Sequence, residues 1–328
     1  MQLHDISSPA DIKKLNIDEL EDLANQIRDF LIRSISKTGG HLSSNLGIVE
    51  LTIAMHYVFD SPNDKFIFDV GHQSYVHKLL TGRMHGFANL RKYKGISGFQ
   101  KRNESEHDPW EAGHSSTSLS AALGLCIARD LKKENYHVVP VIGDGALTGG
   151  MALEALNHIG ELQPNMIIIF NDNDMSISAN VGGMNKSFSR LRTSVKYNSF
   201  KDDLKTSLSK NNLGKNVLKV MSDVKNSIRD NVVDQSIFKH FNIDYLGVVD
   251  GHNISKLIDV LKIAKKRKGP QIIHVMTDKG KGYCYAQEDQ LGAWHGVGAF
   301  DIETGRSLSM MPKSHKSYSE VISDSSSD

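Results

Sequence analysis

The 328-residue chain has only two cysteines, Cys126 and Cys284. That excludes a disulfide framework and a four-cysteine zinc site, and it suits a reducing cytoplasm. It also lacks a charge imbalance. Lys and Arg total 39 against 38 Asp and Glu, a net charge of +1, so there is no global basic field of the kind that gathers nucleic acid. No run approaches the roughly 18 apolar residues that span a bilayer. The opening MQLHDISSPADIKKLNIDELEDL has no apolar signal core. Neither membrane nor nucleic acid is therefore an expected partner. No loop ends in Gly-Lys-Ser/Thr, which disfavours a P-loop kinase.

What remains is an ordinary soluble composition, 39% hydrophobic and 23% charged, in a chain long enough to bury a large core. Leu20, Leu23, Ile27, Phe30, Leu31 and Ile35 recur at helical spacing and predict a helix over 18–36, opened by Asp18 and stopped by Gly39-Gly40. A second helical pattern covers 47–59. Short apolar runs at Lys65–Val70, His137–Ile142, Met166–Phe170, Tyr245–Val249 and Gln271–Met276 read as buried strands. Helical patterns at 116–132, 148–162 and 254–268 separate most of them. Strand and helix in alternation predict an α/β fold: a doubly wound, mostly parallel sheet with helices on both faces. Pro140 inside one strand run argues for an irregularity or an edge position. Residues 1–312 read as one domain. Within it, 184–240 is polar and apolar-poor, a helical or mobile insertion, and the serine-rich 313–328 reads as a linker or the start of a further domain. The basic run Lys265–Lys268 closes a helix before Gly269-Pro270.

Open parallel sheets bind ligands beyond the carboxyl ends of their strands. One strand here runs into Gly143-Asp144-Gly145-Ala146-Leu147-Thr148-Gly149-Gly150 and the next into Asn171-Asp172-Asn173-Asp174-Met175-Ser176. Glycines flanking Asp144 let backbone approach a phosphate, and the following helix aims free amides there. A helix end supplies only about +0.5 of a charge, whereas a diphosphate ester carries on the order of two to three negative charges (one phosphate group has about −1.5 to −2). A divalent cation closes that gap. Asp144 offers a carboxylate, Asn173 an amide oxygen 29 positions later, and the carbonyl near Met175 a third oxygen. With two phosphate oxygens and a water, these make six hard ligands for Mg²⁺. The bland alternative is that Asp144 caps a helix and Asn173 turns the chain. A dinucleotide loop fails because Thr148 stands where G-x-G-x-x-G needs glycine. Lys279 and Lys281, after the last strand, face either a phosphate or solvent.

Gly-Asp-Gly after a strand, with Asn after the next, resembles the thiamine-diphosphate motif. The segments Gly39-Gly40-His41-Leu42, Asp69-Val70-Gly71-His72-Gln73, Gly113-His114-Ser115-Ser116-Thr117-Ser118, Gly143–Gly150, Asn171–Ile177 and Trp294-His295-Gly296 resemble, in order, the N-terminal half of the 1-deoxy-D-xylulose-5-phosphate synthase family. The likeness runs from about residue 3 to 323 and is denser than that to transketolases. It implies a thiamine-diphosphate-binding fold and a transferase that condenses pyruvate with D-glyceraldehyde 3-phosphate, releasing CO₂, for isoprenoid-precursor, thiamine and pyridoxal biosynthesis. It implies Asp144, Asn173 and the Met175 carbonyl as magnesium ligands. His72, Gly113, His114, Ser115, Gly145, Ala146, Asn173 and Tyr283 match cofactor-contacting positions, and His41 and His295 match histidines near the reacting carbon. Histidine suits proton work because its ordinary pKa is about 6.5. Most of the 15 histidines must be bland, and His77, His107, His158 and His274 read as structural.

Family members continue for roughly as many residues again and are dimers. That further length supplies the glutamate that activates the cofactor, and no glutamate here matches it. The chain alone is therefore expected to be catalytically silent until a C-terminal half or a second chain completes it. Two alternatives stay open: the N-terminal subunit of a two-chain transketolase-like enzyme, and a silent cofactor-binding subunit.

Overall fold

The computed structural model describes residues 1–173, 183, 237–308 and 322. Met175 lies outside these, as does 184–240 apart from Ile237–His240, and 313–328 apart from Ile322. The strands are β1 (Lys65–Phe68), β2 (Val138–Gly143), β3 (Met166–Asp172), β4 (Asp244–Asp250) and β5 (Pro270–Met276). The helices are α1 (Pro9–Ile12), α2 (Ile17–Thr38), α3 (Leu42–Leu46), α4 (Val49–Val58), α5 (Tyr75–Leu80), α6 (Ser118–Lys132), α7 (Asp144–Leu147), α8 (Gly150–Leu162), α9 (Ile237–His240), α10 (Ile254–Lys266) and α11 (Cys284–Gln287).

All five strands are parallel, in the order β1-β2-β3-β5-β4. Their side chains alternate between two cores, as the period of two demands. Phe66, Phe68, Val139, Val141, Ile167, Ile169 and Ile273 pack on one face with α2, α4 and α10. Ile67, Val138, Ile142, Ile168, Phe170 and Ile272 pack on the other with α6 and α8. The chain steps outward through β1, β2 and β3 with α6 and α8 on the second face, while α5, between β1 and β2, packs on the first. It then returns from β4 to β5 with α10 on the first, the arrangement that right-handed crossovers impose when the direction of winding reverses.

Local chemistry sets the ends of these elements. α2 begins at Asn16, whose Oδ1 accepts the Glu19 amide at 3.0 Å while Glu19 Oε2 accepts the Asn16 amide at 2.9 Å. Asp18, the expected start, sits inside the first turn, so this reciprocal capping box fixes the boundary two residues earlier. Asn253 opens α10 by accepting the Lys256 amide at 3.0 Å, and the basic run does close that helix, ahead of Gly269 at φ +84°. Pro140 is not at an edge. β2 is flanked on both sides, and Pro140 stands opposite Ile67 in β1. The irregularity is real, however: β2 registers with β3 only from Val141 onward, just past the residue that has no N–H to donate. A bulge between Leu246 and Val249 carries Gly247 at φ +113°, where a Cβ would meet the His274 carbonyl at 2.7 Å.

Candidate active site

The strand ends bring the sequence-predicted segments to one end of the sheet. Gly143 and Asn171 are registered partners, so Asp144 and Asn173 follow neighbouring strands directly. Asp144 is 2% exposed and opens α7, with Oδ1 accepting the Gly145 amide at 2.9 Å. β5 anchors the β3 end: Thr277 Oγ1 donates to Asn171 Oδ1 at 2.7 Å and the Thr277 amide to the Asp172 carbonyl at 3.0 Å. His274 lies 2.8 Å from Asp172 and 2.7 Å from the Tyr245 hydroxyl, a buried, satisfied histidine as its structural reading expected. Among the described residues no group of three or more His, Cys, Asp or Glu side chains gathers to hold a metal. The oxygen set read from the sequence is of a different kind, one carboxylate with an amide and a carbonyl.

His41, His72 and His295, far apart in sequence, form a cluster, with ring centroids 5.2 Å (41–72), 5.8 Å (41–295) and 5.1 Å (72–295) apart. Two devices hold it. An antiparallel bridge joins Gly40 to Val297 through two 2.9 Å hydrogen bonds. It requires the pair of glycines, since Gly39 has φ +72° and a Cβ there would meet the Val297 carbonyl at 2.7 Å. Behind the rings, the fully buried Asn45 donates to the carbonyls of His41 (2.7 Å) and His72 (2.8 Å) and accepts the Tyr75 amide at 2.9 Å. The Tyr75 hydroxyl lies 3.2 Å from His41 Nδ1 and accepts the His41 amide. Sequence reasoning missed Asn45 and Tyr75, because nothing local marks residues whose role is to bridge two loops.

Electrostatics keep the cluster neutral. Burial, with the charges of His295 and Arg91, holds His41 down at about 4. Burial, with His41, His295 and Lys279, pushes His72 well below its ordinary range. Burial and Lys279 lower His295. Lys279, left open between phosphate and solvent, is half-buried. Desolvation lowers it, opposed by Asp289 and Asp144, which places it in the field of the site. A pH dependence follows. An unfolded histidine titrates at 6.5, so above that pH both states are neutral and stability is indifferent to these groups. Between 6.5 and about 4 the unfolded chain binds protons that the folded cluster refuses, and stability falls as pH falls. The melting temperature is expected to drop on acidification from pH 6.5 to 4, with a shallower slope in His41→Asn; equal slopes would show that His41 is not a source.

The remaining predicted residues fall in two groups. Gly113, His114 and Ser115 are exposed on a loop; His114 Nδ1 lies 2.9 Å from the Ser115 carbonyl, and a Cβ on Gly113 would meet nothing within 4 Å. That loop touches the Gly-Asp-Gly turn through Ser116, whose Oγ donates to the Ala146 carbonyl at 2.7 Å. Tyr283 is buried against Trp294 and Phe300, its hydroxyl donating to the Ile302 carbonyl at 2.9 Å, so only its ring remains for a ligand. Two non-glycine residues in these loops take left-handed backbone, Val70 at φ 64° and Ser116 at φ 69°. Such strain costs on the order of 1–3 kcal/mol each and clusters at functional sites.

The residues present fit an anionic ligand. Buried side-chain atoms without a hydrogen-bond partner include Ser43 Oγ, Ser44 Oγ, His72 Nδ1, Ser118 Oγ, Asn171 Nδ2 and His295 Nδ1, all within the segments that build this site. Each unsatisfied group costs about 1–3 kcal/mol, so several in one place call for acceptors from outside the chain.

Residues 3–277 match the family of 1-deoxy-D-xylulose-5-phosphate synthase. The chain belongs to that family. It is 55% identical over 306 residues to the 1-deoxy-D-xylulose-5-phosphate synthases of Bacillus cytotoxicus and Bacillus mycoides, covering 93% of this chain and 49% of each relative. It thus spans about half the length of the curated relatives it matches. Among solved structures it resembles the transketolase of Campylobacter jejuni (TM-score 0.62, 19% identity, 87% of this chain and 41% of that one) and the transketolase from Leishmania mexicana (TM-score 0.56, 19% identity, 80% and 37%). These confirm the doubly wound α/β fold expected from strand–helix alternation. No described helix is long and apolar enough to cross a membrane.

Proposed function

We propose that this synthase-family chain forms the half of the active site that holds the diphosphate of thiamine diphosphate and its Mg²⁺, in an enzyme joining pyruvate to D-glyceraldehyde 3-phosphate with loss of CO₂. The reading is supported most by the register of Gly143 with Asn171, which sets Asp144 and Asn173 just beyond neighbouring strand ends, together with a neutral three-histidine cluster and a set of buried, unpartnered polar atoms. Asp144, Asn173 and the Met175 carbonyl would hold the metal. His72, the 113–115 loop, Gly145, Ala146 and the ring of Tyr283 would line the cofactor. When bound, the thiazolium supplies the carbanion chemistry that carbonyl ligation needs.

The chain's own work is positional and protonic. His41 and His295, neutral at pH 7, can accept a proton from a substrate hydroxyl or donate one to a developing alkoxide. Both are half-buried, which limits the access of bulk water. The glutamate and the sugar-phosphate grip belong to the further length that family members have, and a homodimer is the assembly we favour. Calorimetric titration of the chain with thiamine diphosphate, with and without Mg²⁺, tests the reading. Binding only in the presence of metal is the expected result; the same affinity in both conditions would overturn it. Steady-state product formation by the chain alone is expected to be negligible.

A further inference from the structure

Asp69 ends β1 and joins three loops. Its amide donates to the Val141 carbonyl of β2 at 2.8 Å. Its carboxylate, on a residue only 4% exposed, accepts the amides of Ser116 (2.8 Å) and Ser118 (3.0 Å). Those amides stand at the start of α6, where the N-cap residue Thr117 makes no capping bond of its own. A carboxylate from 49 residues away therefore does the work of the missing cap.

The two left-handed residues lie on either side of this joint, Val70 next to Asp69 and Ser116 on its carboxylate. Ser116 passes the connection on to the Gly-Asp-Gly turn through Ala146. The fit there is close: a Cβ on Gly149 would meet Ser116 Oγ at 2.2 Å. One buried carboxylate thus sets the relative placement of 69–72, 113–118 and 143–149, the three loops that carry His72, Ser115 and Asp144.

We infer that Asp69 is a positioning residue: it makes no contact with the ligand itself, and it closes the 113–118 loop onto the Gly-Asp-Gly turn so that the diphosphate site is formed before the ligand arrives. The inference rests on the proposed cofactor reading. Asp69→Asn keeps the shape but leaves one acceptor where two amides need two. Amide hydrogen exchange of 113–118 in the free chain is expected to speed up in the variant while the sheet strands keep their protection. The dissociation constant for thiamine diphosphate at saturating Mg²⁺ should rise about 10–100-fold, the usual penalty for losing a group that orients a site from behind.

Unchanged exchange at 113–118 would overturn the inference, as would faster exchange with wild-type affinity, which is what a purely structural residue would give. If the wild-type chain binds no thiamine diphosphate, the cofactor reading itself fails and takes this inference with it; wild-type binding with an unaffected variant sinks the inference alone. Should Asp69→Asn not fold, Ser116→Ala cuts the onward link to Ala146 and leaves the Asp69 bonds in place. Weakening of about 3–10-fold, within the range of one lost hydrogen bond, is expected, and an unchanged affinity would refute the role.

Discussion

Asp144→Ala is expected to weaken Mg²⁺-dependent binding of thiamine diphosphate at least about 100-fold, since even groups one shell beyond a metal are worth roughly 10–100-fold. Two readings of the residue separate cleanly here. As a purely structural residue, Asp144 is not the cap of α7, which is Gly143; its carboxylate accepts only the adjacent Gly145 amide, and its loss costs about 0.5–1.5 kcal/mol of stability with no effect on ligand affinity. As a metal ligand, it supplies the only carboxylate in a set otherwise made of neutral oxygens, so its removal leaves the diphosphate charge unbalanced. Titration with and without Mg²⁺, together with a melting curve, reads both. A lowered melting temperature with intact binding would leave Asp144 a purely structural residue.

Glu50→Ala is expected to be among the most destabilising single changes, about 3–5 kcal/mol by urea unfolding, because it strands a buried guanidinium. Glu50 and Arg28 are 6% and 7% exposed and joined by hydrogen bonds between α4 and α2. His252 adds a third member, its Nδ1 3.1 Å from Glu50 Oε2 and its Nε2 accepting the Asp278 amide at 2.7 Å. Burial raises the Glu50 carboxyl, but the hydrogen bonds of His252 and Arg28 and the charge of Arg28 outweigh it and leave the group below its ordinary value. The paired change Arg28→Met with Glu50→Leu removes both charges and should cost far less than the single substitution. A single-mutant loss under about 1 kcal/mol would show the pair to be solvated rather than buried.

Much of this fold was legible because it is local. Apolar runs with β-branched residues marked every described strand to within about two residues, and the 3.6 period marked α2, α6, α8 and α10. The errors have physical reasons. Asp18 looked like a cap, but Asn16 had the partner three residues on. Pro140 pointed to an irregularity or an edge position, and only the irregularity is present, because sequence shows a missing donor and not which neighbour goes without it. Strand order was not readable at all, since the placement of β5 between β3 and β4 depends on crossover direction. Within the site, Asp144 stood out between glycines at a strand end, and His41, His72 and His295 were picked out by the family resemblance. Asn45, Asp69 and Tyr75 were not, because their partners lie some 27 to 49 positions away. Asp69 had been in plain view in the Asp-Val-Gly-His run; nothing there says its carboxylate reaches α6.

The strand order also bears on how the chain comes off the ribosome. β5 is the last of the described strands to be made, yet both β3 and β4 pair with it. Until it emerges, no described strand pairs with the β5-facing edge of β3, and β4 has no described companion. Such unpaired rims are where nascent chains stick to one another. Insertion of Pro270–Met276 seals both at once and, through Thr277 and Asn171, finishes the floor on which the anion would rest. Translation must therefore pass residue 277 before the floor of the proposed site can form, and a chaperone that shields β3 during that interval would raise the yield of folded protein.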